Sequence, residues 1–419
     1  MISVVNTQGW YSIDCGSDNV RVSADTIMWD TDAKYTSSGD NKRVQETQPL
    51  DEMNTLRIFP NKSQEDCYTV PAYSQTLRYL VRAGFYYGNY DGLSRPPTFD
   101  LQIDGEKWST VNTLSNGGGP VYHEAIYVTH GSGCIKVCLL QTQEGEVPFI
   151  SSIEVVPLWV NLYSQMETNA TFHLVTRTNL GGEEIRFTGA LSDEKYNRIW
   201  TKGTTPSNCS VDEIVPDFVS ETENDPPLLV LLNSIHSITS DAIILTVNLS
   251  QLTPQPAYFV FYLTESILLN PSDTRIVQIM INGRDQKTVA APDAGKCRVV
   301  TIYPLMVAGP TVNVTLAPAN GSSLPPLIAA MEVFTRTGLH SAAKTLKHST
   351  IACTLALRSA AAAVAPSEAL DGELPREEQW PSTAFMPLTL ELRLSSQKRP
   401  LVRLTLELRL SSQWKTPIL

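Results

Sequence analysis

The 419-residue chain is short of charge, of aromatic rings and of any long apolar run. Charged residues make up 18% and aromatics 8%, a balance that suits a folded chain with a polar surface and argues against a disordered one. The most apolar stretch, "TLALRSAAAAVAP", is broken by Arg358 and falls short of the ~20 residues a membrane span needs, so no transmembrane segment is expected. "MISVVNTQGW" lacks both a basic and an apolar signal region, so any targeting segment is expected outside this chain. An excess of basic residues is missing too. With 32 Lys/Arg against 43 Asp/Glu the net charge is −11, which argues against nucleic acid as a partner.

Catalytic signatures are equally scarce. There is no Gly-rich loop with a strand lysine and an Asp-bearing catalytic loop, no G-x-S-x-G elbow, and no H-E-x-x-H pair. Cys134 and Cys138 are four apart, which on a strand separates them by about 13 Å and rules out a shared metal ion. The six histidines form no ligand cluster in sequence. The chain therefore reads as a non-enzyme without metal or cofactor.

What is present is a repeat. "PFISSIEVVPL" (148–158) returns as "PPLIAAMEVFT" (325–335) at an offset of 178, and "LQIDGEKWSTV" (101–111) returns as "IMINGRDQKTV" (279–289) at the same offset. "RYLVRAGFYY" (78–87) fits "AYFVFYLTES" (257–266) at 179. So long a period implies a duplicated domain, not a solenoid. Both copies alternate apolar and polar residues in short runs ("TFDLQI", "AIILTVNL", "TVNVTLA") separated by clusters such as "NGGGP" and "APANGSSLPP". This pattern predicts an all-β fold of sandwich or jelly-roll type. "DG" at 104–105 and "NG" at 282–283 predict equivalent tight hairpins in superimposable sandwiches, and helices there or one continuous sheet would end the duplication reading. Glu154 and Glu332, among apolar neighbours, are expected to face solvent.

The residues then carry a resemblance. "WYSIDCGS" (10–17), "CYTVP" (67–71), "YLVRAGFYYGNYDG" (79–92), "PPTFDLQIDGEKW" (96–108), "VCLLQTQEGEVPFISSIEVVPL" (137–158) and "DEKYNRIW" (193–200) resemble the malectin-like extracellular region of plant receptor-like kinases. The resemblance implies two tandem malectin-type β-sandwich domains, 10–160 and 161–336, outside the cell or at the plasma membrane. Residues 337–419 fall outside it. They carry "LTLELRLSSQ" twice verbatim, at 388–397 and 404–413, and are expected to be a poorly structured tail.

Six N-x-S/T sequons, at Asn61, Asn169, Asn208, Asn248, Asn313 and Asn320, are candidate glycosylation sites, with Asn320 on the clearest loop. Seven cysteines permit up to three disulfides. Cys67 and Cys138 lie in family-like motifs, and their reading as a disulfide or as two buried thiols stays open. In "AGFYYGNYDG" (83–92), Phe85, Tyr86, Tyr87 and Tyr90 offer rings for a sugar's apolar face, while Asn89 and Asp91 offer polar groups for its rim. Similarity to animal malectin places Tyr86 and Tyr87 at that lectin's paired sugar-contacting aromatics. The second copy has Glu265, Ser266 and Ile267 there, so a sugar site is expected in the first copy alone. Two function classes follow: binding of a carbohydrate or cell-wall glycan, or binding of a peptide or co-receptor protein between the two sandwiches.

Overall fold

The computed structural model describes residues 9–339 except 61–65, 73–77, 130–132, 159–161, 190–191, 214–221, 240, 250 and 266–268. The expected tail beyond 339, Asn61, Ser266 and Ile267 lie outside the described residues.

Alternation in the sequence becomes one buried face per strand. In Thr98–Ile103, Phe99, Leu101 and Ile103 are fully buried while the residues between them are half-buried, and Ile276–Ile281 shows the same pattern. Each strand turns back through a two-residue loop onto its neighbour, Glu106–Asn112 or Arg284–Ala290. Asp104 and Gly105 have φ of 46° and 84°, Asn282 and Gly283 of 50° and 73°, as a turn with both central residues left-handed requires. Both hairpins also carry a bulge at the same place, between Leu101 and Gln102 and between Ile279 and Met280.

The duplication extends to every sheet. A four-stranded sheet in the order Asp66–Pro71, Cys134–Leu140, Thr98–Ile103, Glu106–Asn112 has its counterpart in Ile243–Asn248, Thr311–Pro318, Ile276–Ile281, Arg284–Ala290. A three-stranded sheet (Phe149–Ile150, Thr55–Ile58, Asp40–Arg43) is matched by Leu327–Ile328, Asn233–Ser237, Cys209–Glu213. In the largest sheet, Tyr11–Asp14, Ser152–Leu158, Arg78–Phe85, Val121–Val128 is followed by Ala170–Asn179, Ala330–Leu339, Gln255–Thr264, Cys297–Val307.

The all-β reading with two tandem sandwiches holds, but the expectation that no continuous sheet would link the copies is corrected. The two copies of the large sheet join edge to edge through Ala125↔His173 and Ile126↔Phe172, so eleven strands form one sheet. Continuity does not argue against duplication, because the strand order repeats on either side of the join. Each copy would otherwise present an open strand edge, and the two edges meet over these two residue pairs.

The large sheet is covered on both faces. One face packs on two cores, the first built from residues such as Val81, Phe85 and Ile153, the second from Phe259, Phe261 and Met331. The opposite face is roofed by a third core that mixes both halves, including Leu80, Ile126, Tyr163, Trp200, Tyr262 and Phe334. Strands buried on both sides read as near-continuous apolar runs, as "YFVFYL" does. Cys67 and Cys138, opposed in register in the first four-stranded sheet, form a disulfide, which resolves the open alternative. The equivalent pair in the second half is Ile244↔Thr315.

Candidate functional site

The strand Arg78–Phe85 delivers "FYYGNYD" to one end of the first sandwich. Phe85 is fully buried and packs edge-to-face on Phe99 and Phe149 at 5.8 and 6.3 Å. Tyr86 is only 3% exposed, and its N–H donates to Ser151 Oγ at 3.1 Å. Neither ring offers a face to a ligand. Tyr87 and Tyr90 are half-buried and meet edge-to-face at 5.4 Å. The Tyr87 hydroxyl donates to Asp91 and accepts from the Arg95 N–H at 3.2 Å. Burial and the Asp91 carboxylate together push its pKa up to about 12. Asp91 also accepts from the Leu93 N–H at 3.0 Å, and Asn89 from the Ser94 N–H at 2.9 Å. The polar groups of this loop are thus engaged in folding it. Beside it opens a cavity of about 450 Å³, with Tyr90, Leu93, Pro97, Lys42, Arg95 and Glu146 among its walls.

The strand ladders correct the alignment of the second copy. Gly84 pairs with Ser152 and Tyr262 with Ala330, so the offset here is 178 and not 179. Tyr86 and Tyr87 therefore correspond to Thr264 and Glu265. Glu265 is fully buried and paired with Arg275 at 2.8 Å. Both rings are absent at these positions as well.

The sequence reading missed a line of buried charge on the roofed face of the large sheet. Glu154, Arg82 and Glu124 lie side by side on three strands, because Arg82 is in register with both glutamates. Arg82 Nη1 donates to Glu154 and Nη2 to Glu124, each at 2.8 Å. Across the join, Arg177 Nη2 meets Glu124 Oε1 as an ion pair at 2.8 Å, off hydrogen-bond alignment. Arg177 Nε donates to Glu332 at 2.7 Å, and Glu332 also accepts from the hydroxyls of Tyr262 (2.7 Å) and Tyr163 (2.8 Å).

All five charged residues are at most 5% exposed, so the expected solvent-facing Glu154 and Glu332 are corrected. Their strand face is roofed by Leu162, Tyr163 and Met166 and by "DEKYNRIW" (193–200), whose Asn197 donates to Glu154. Burial alone would raise the Glu124 pKa, but Arg177 and Arg82 outweigh it and hold the carboxyl below its usual range. Arg177 is pushed well up by Glu124, Tyr163 and Glu332 against the opposing effect of burial. A signal was available in the arginine inside the apolar run "YLVRAGF", but its partners depend on strand register.

Beside this line the join opens into a cleft. A bulge at Val175, between the pairs Leu174↔Phe334 and Thr176↔Val333, bends the strand Ala170–Asn179, and its pairing with Val121–Val128 stops at Ala125↔His173. The space is about 630 Å³ and is walled by both halves, with Val121, Tyr122 and Glu124 on one side and Val175, Thr176 and Arg177 on the other. Arg186 crosses it, its guanidinium 5.5 Å from the Tyr122 ring centre. Arg177 Nη1 is buried without a hydrogen-bond partner.

Four of the described sequon asparagines are exposed: Asn169 and Asn320 on turns, Asn248 and Asn313 on strands. Asn208 is half-buried and its Nδ2 donates to Ala242 O at 3.1 Å. Among the described residues no group of three or more His, Cys, Asp or Glu is placed to hold a metal ion, and no helix is long and apolar enough to cross a membrane.

Comparison with known proteins places these features in context. The family model described as the malectin-like domain matches residues 13–336. A probable leucine-rich-repeat receptor-like serine/threonine-protein kinase of Arabidopsis thaliana is 30% identical over 337 residues, covering 78% of this chain and 38% of the relative. The chain thus spans about 38% of that relative's length. The ANX2 ectodomain of Arabidopsis thaliana superimposes with a TM-score of 0.67 at 15% identity, covering 79% of this chain and 97% of that one. A chain from the crystal structure of the plant peptide RALF23 in complex with FER and LLG2 gives 0.64 at 16% identity, covering 79% and 96%.

Proposed function

The chain belongs to the malectin-like family, and on that premise we propose that it is a non-catalytic extracellular recognition module binding a peptide or protein ligand in the cleft between its halves. The observation that carries this reading is the cleft itself, walled by both halves and holding a buried arginine nitrogen without a partner. A site that closes its polar groups on a ligand leaves them unsatisfied when empty. The neighbour solved with a peptide and a second protein supports the ligand class. The loop 83–92 contrasts with this, since Asn89 and Asp91 are already engaged in folding it.

The test is calorimetric titration of the full chain with RALF23, with and without LLG2, beside a Ser115→Trp variant that fills the cleft mouth from an exposed position. Binding that weakens about tenfold or more in the variant is expected. Binding indifferent to it would refute the cleft.

A second reading rests on the 450 Å³ cavity, where Tyr90 remains half-exposed beside Arg95, Glu146 and Lys42. It makes the module a glycan binder through one ring. Glycan-array binding that vanishes in Tyr90→Ala, together with no peptide binding, would put it first.

A further inference from the structure

The cleft is a gap in a β-sheet, and this suggests the form of its ligand. Every strand from Tyr11–Asp14 to Cys297–Val307 in the large sheet has a ladder neighbour on each inner side, but at the join the ladder consists of Ala125↔His173 and Ile126↔Phe172 alone. Beyond these pairs, Val121–Glu124 is paired only to Arg78–Phe85, on its far side. Residues 174–176 are paired only to Ala330–Leu339, on theirs; the Arg177 carbonyl accepts from the Thr201 hydroxyl at 2.9 Å, and Thr201–Lys202 pairs with the strand from Thr178 on. Two strand edges thus diverge as the walls of one cleft. Strand edges carry outward N–H and C=O groups that an extended chain satisfies by adding as a strand. The bulge at Val175 creates this geometry, and the corresponding strand in the first copy, Tyr11–Asp14, pairs with Ser152–Leu158 without one.

The lining supplies a chemical preference as well. Arg82, Arg177 and Arg186 line the space with Glu124 and Glu184, while Glu154 and Glu332 pair with Arg82 and Arg177 from behind the wall. Arg177 is 1% exposed, and its Nη1 has no hydrogen-bond partner. A guanidinium presents its donors in a fixed fork, so a carboxylate is the acceptor that fits best.

We propose that the cleft takes an extended peptide segment, added as a strand between the edges of Val121–Glu124 and 174–176, with one Asp or Glu side chain received by Arg177. This deepens the peptide-binding reading and rests on it. Tyr122 and Arg186, stacked across the opening from opposite halves, then close over the inserted strand.

A phage-displayed library of random dodecapeptides, selected on the immobilised full chain, tests this. Selected peptides should carry a central acidic residue. Replacing that residue by Gln or Asn in the synthetic peptide should weaken binding by about tenfold or more, as loss of a buried charge-assisted bond does. N-methylation at alternate residues should abolish binding. Amide hydrogen exchange should show new protection at 121–124 and 174–176. Because Arg177 is buried and its replacement risks unfolding, the decisive substitutions are in the peptide. Peptides that bind but protect another surface would overturn strand insertion and leave the peptide-binding reading standing. A Gln or Asn replacement costing under about threefold would overturn the carboxylate assignment. Failure to select any peptide, with no response to RALF23, would overturn both readings.

Discussion

Glu124 joins the two halves of the molecule, so its replacement by Gln tests how much that join contributes. In the wild type, one carboxylate oxygen accepts from Arg82 Nε and Nη2 at 3.2 and 2.8 Å, and the other faces Arg177 Nη2 at 2.8 Å. All three side chains are at most 5% exposed. Removing the negative charge leaves two buried guanidiniums sharing Glu154 and Glu332. Breaking one partner of a buried pair typically costs about 3–5 kcal/mol, because the stranded charge keeps its desolvation penalty. For a folded body of some 330 residues, at about 2.1 cal/mol/K of unfolding entropy per residue, this corresponds to a melting point lower by about 4–7 °C.

The measurement is differential scanning calorimetry at pH 7 with urea unfolding alongside. Both should show one cooperative transition, since the halves share a sheet and a core. Replacing both partners, Glu124→Leu with Arg177→Met, should cost far less than either single change, as apolar pairs of similar volume often substitute for buried ion pairs without loss. A Glu124→Gln cost below about 1 kcal/mol would refute the reasoning, as would a double variant no better than the singles. Acid gives an independent check. The Glu124 pKa is lowered in the fold, so its contribution is present above the ordinary value of 4.5 and disappears as pH falls through the lower folded value.

His123 has a buried Nε2 without a partner and is held down to about 4 by burial, so it is neutral when folded. Stability should be complete above pH 6.5 and fall by about 2–3 kcal/mol towards pH 4, as the unfolded state takes up a proton the native state refuses; His123→Phe should flatten melting curves recorded between pH 6.5 and 5. Replacing Cys67 and Cys138 by Ser removes a crosslink spanning 71 residues and should cost about 4 kcal/mol in urea unfolding; an unchanged midpoint would mean the disulfide is not formed. Expressed through a secretory pathway, the chain should carry glycans at exposed Asn169 and Asn320 but not at Asn208, whose Nδ2 is engaged with Ala242; site-by-site mass spectrometry decides.

Legibility in the sequence followed the range of the interactions. The hairpins at 104–105 and 282–283 were readable because left-handed turn residues are a local requirement, and the 178-residue offset followed from motifs that share them. Glu154 and Glu332 were misread because nothing local marks their partners. Arg82 lies 72 residues from Glu154, and Arg177 lies 155 from Glu332. Only strand register and the roofing segment bring each pair together. Phe85 and Tyr86 were read as ligand rings for the same reason: an aromatic run at a strand end looks alike whether its rings enter the core or solvent, and burial decides. The one-residue slip between 178 and 179 shows how apolar runs lose register when every position is bulky.

The join itself was not legible at all, and the reason bears on function. Duplication explains what the halves share, but an edge-to-edge contact between copies has no counterpart within either one. At that contact the repeat is broken. The glutamate at 332 repeats the one at 154, yet its arginine has moved to the opposite neighbouring strand: Arg82 pairs with Glu154 from the strand Arg78–Phe85, whereas Arg177 pairs with Glu332 from the position that Ser12 holds in the first copy. The position matching Arg82 is Val260. The bulge at Val175 is also private to the second copy. Both departures fall on Ala170–Asn179, the one strand that faces the first half, and together they place a guanidinium and an open edge on the same wall. These two departures are the ones on which the proposed peptide site rests.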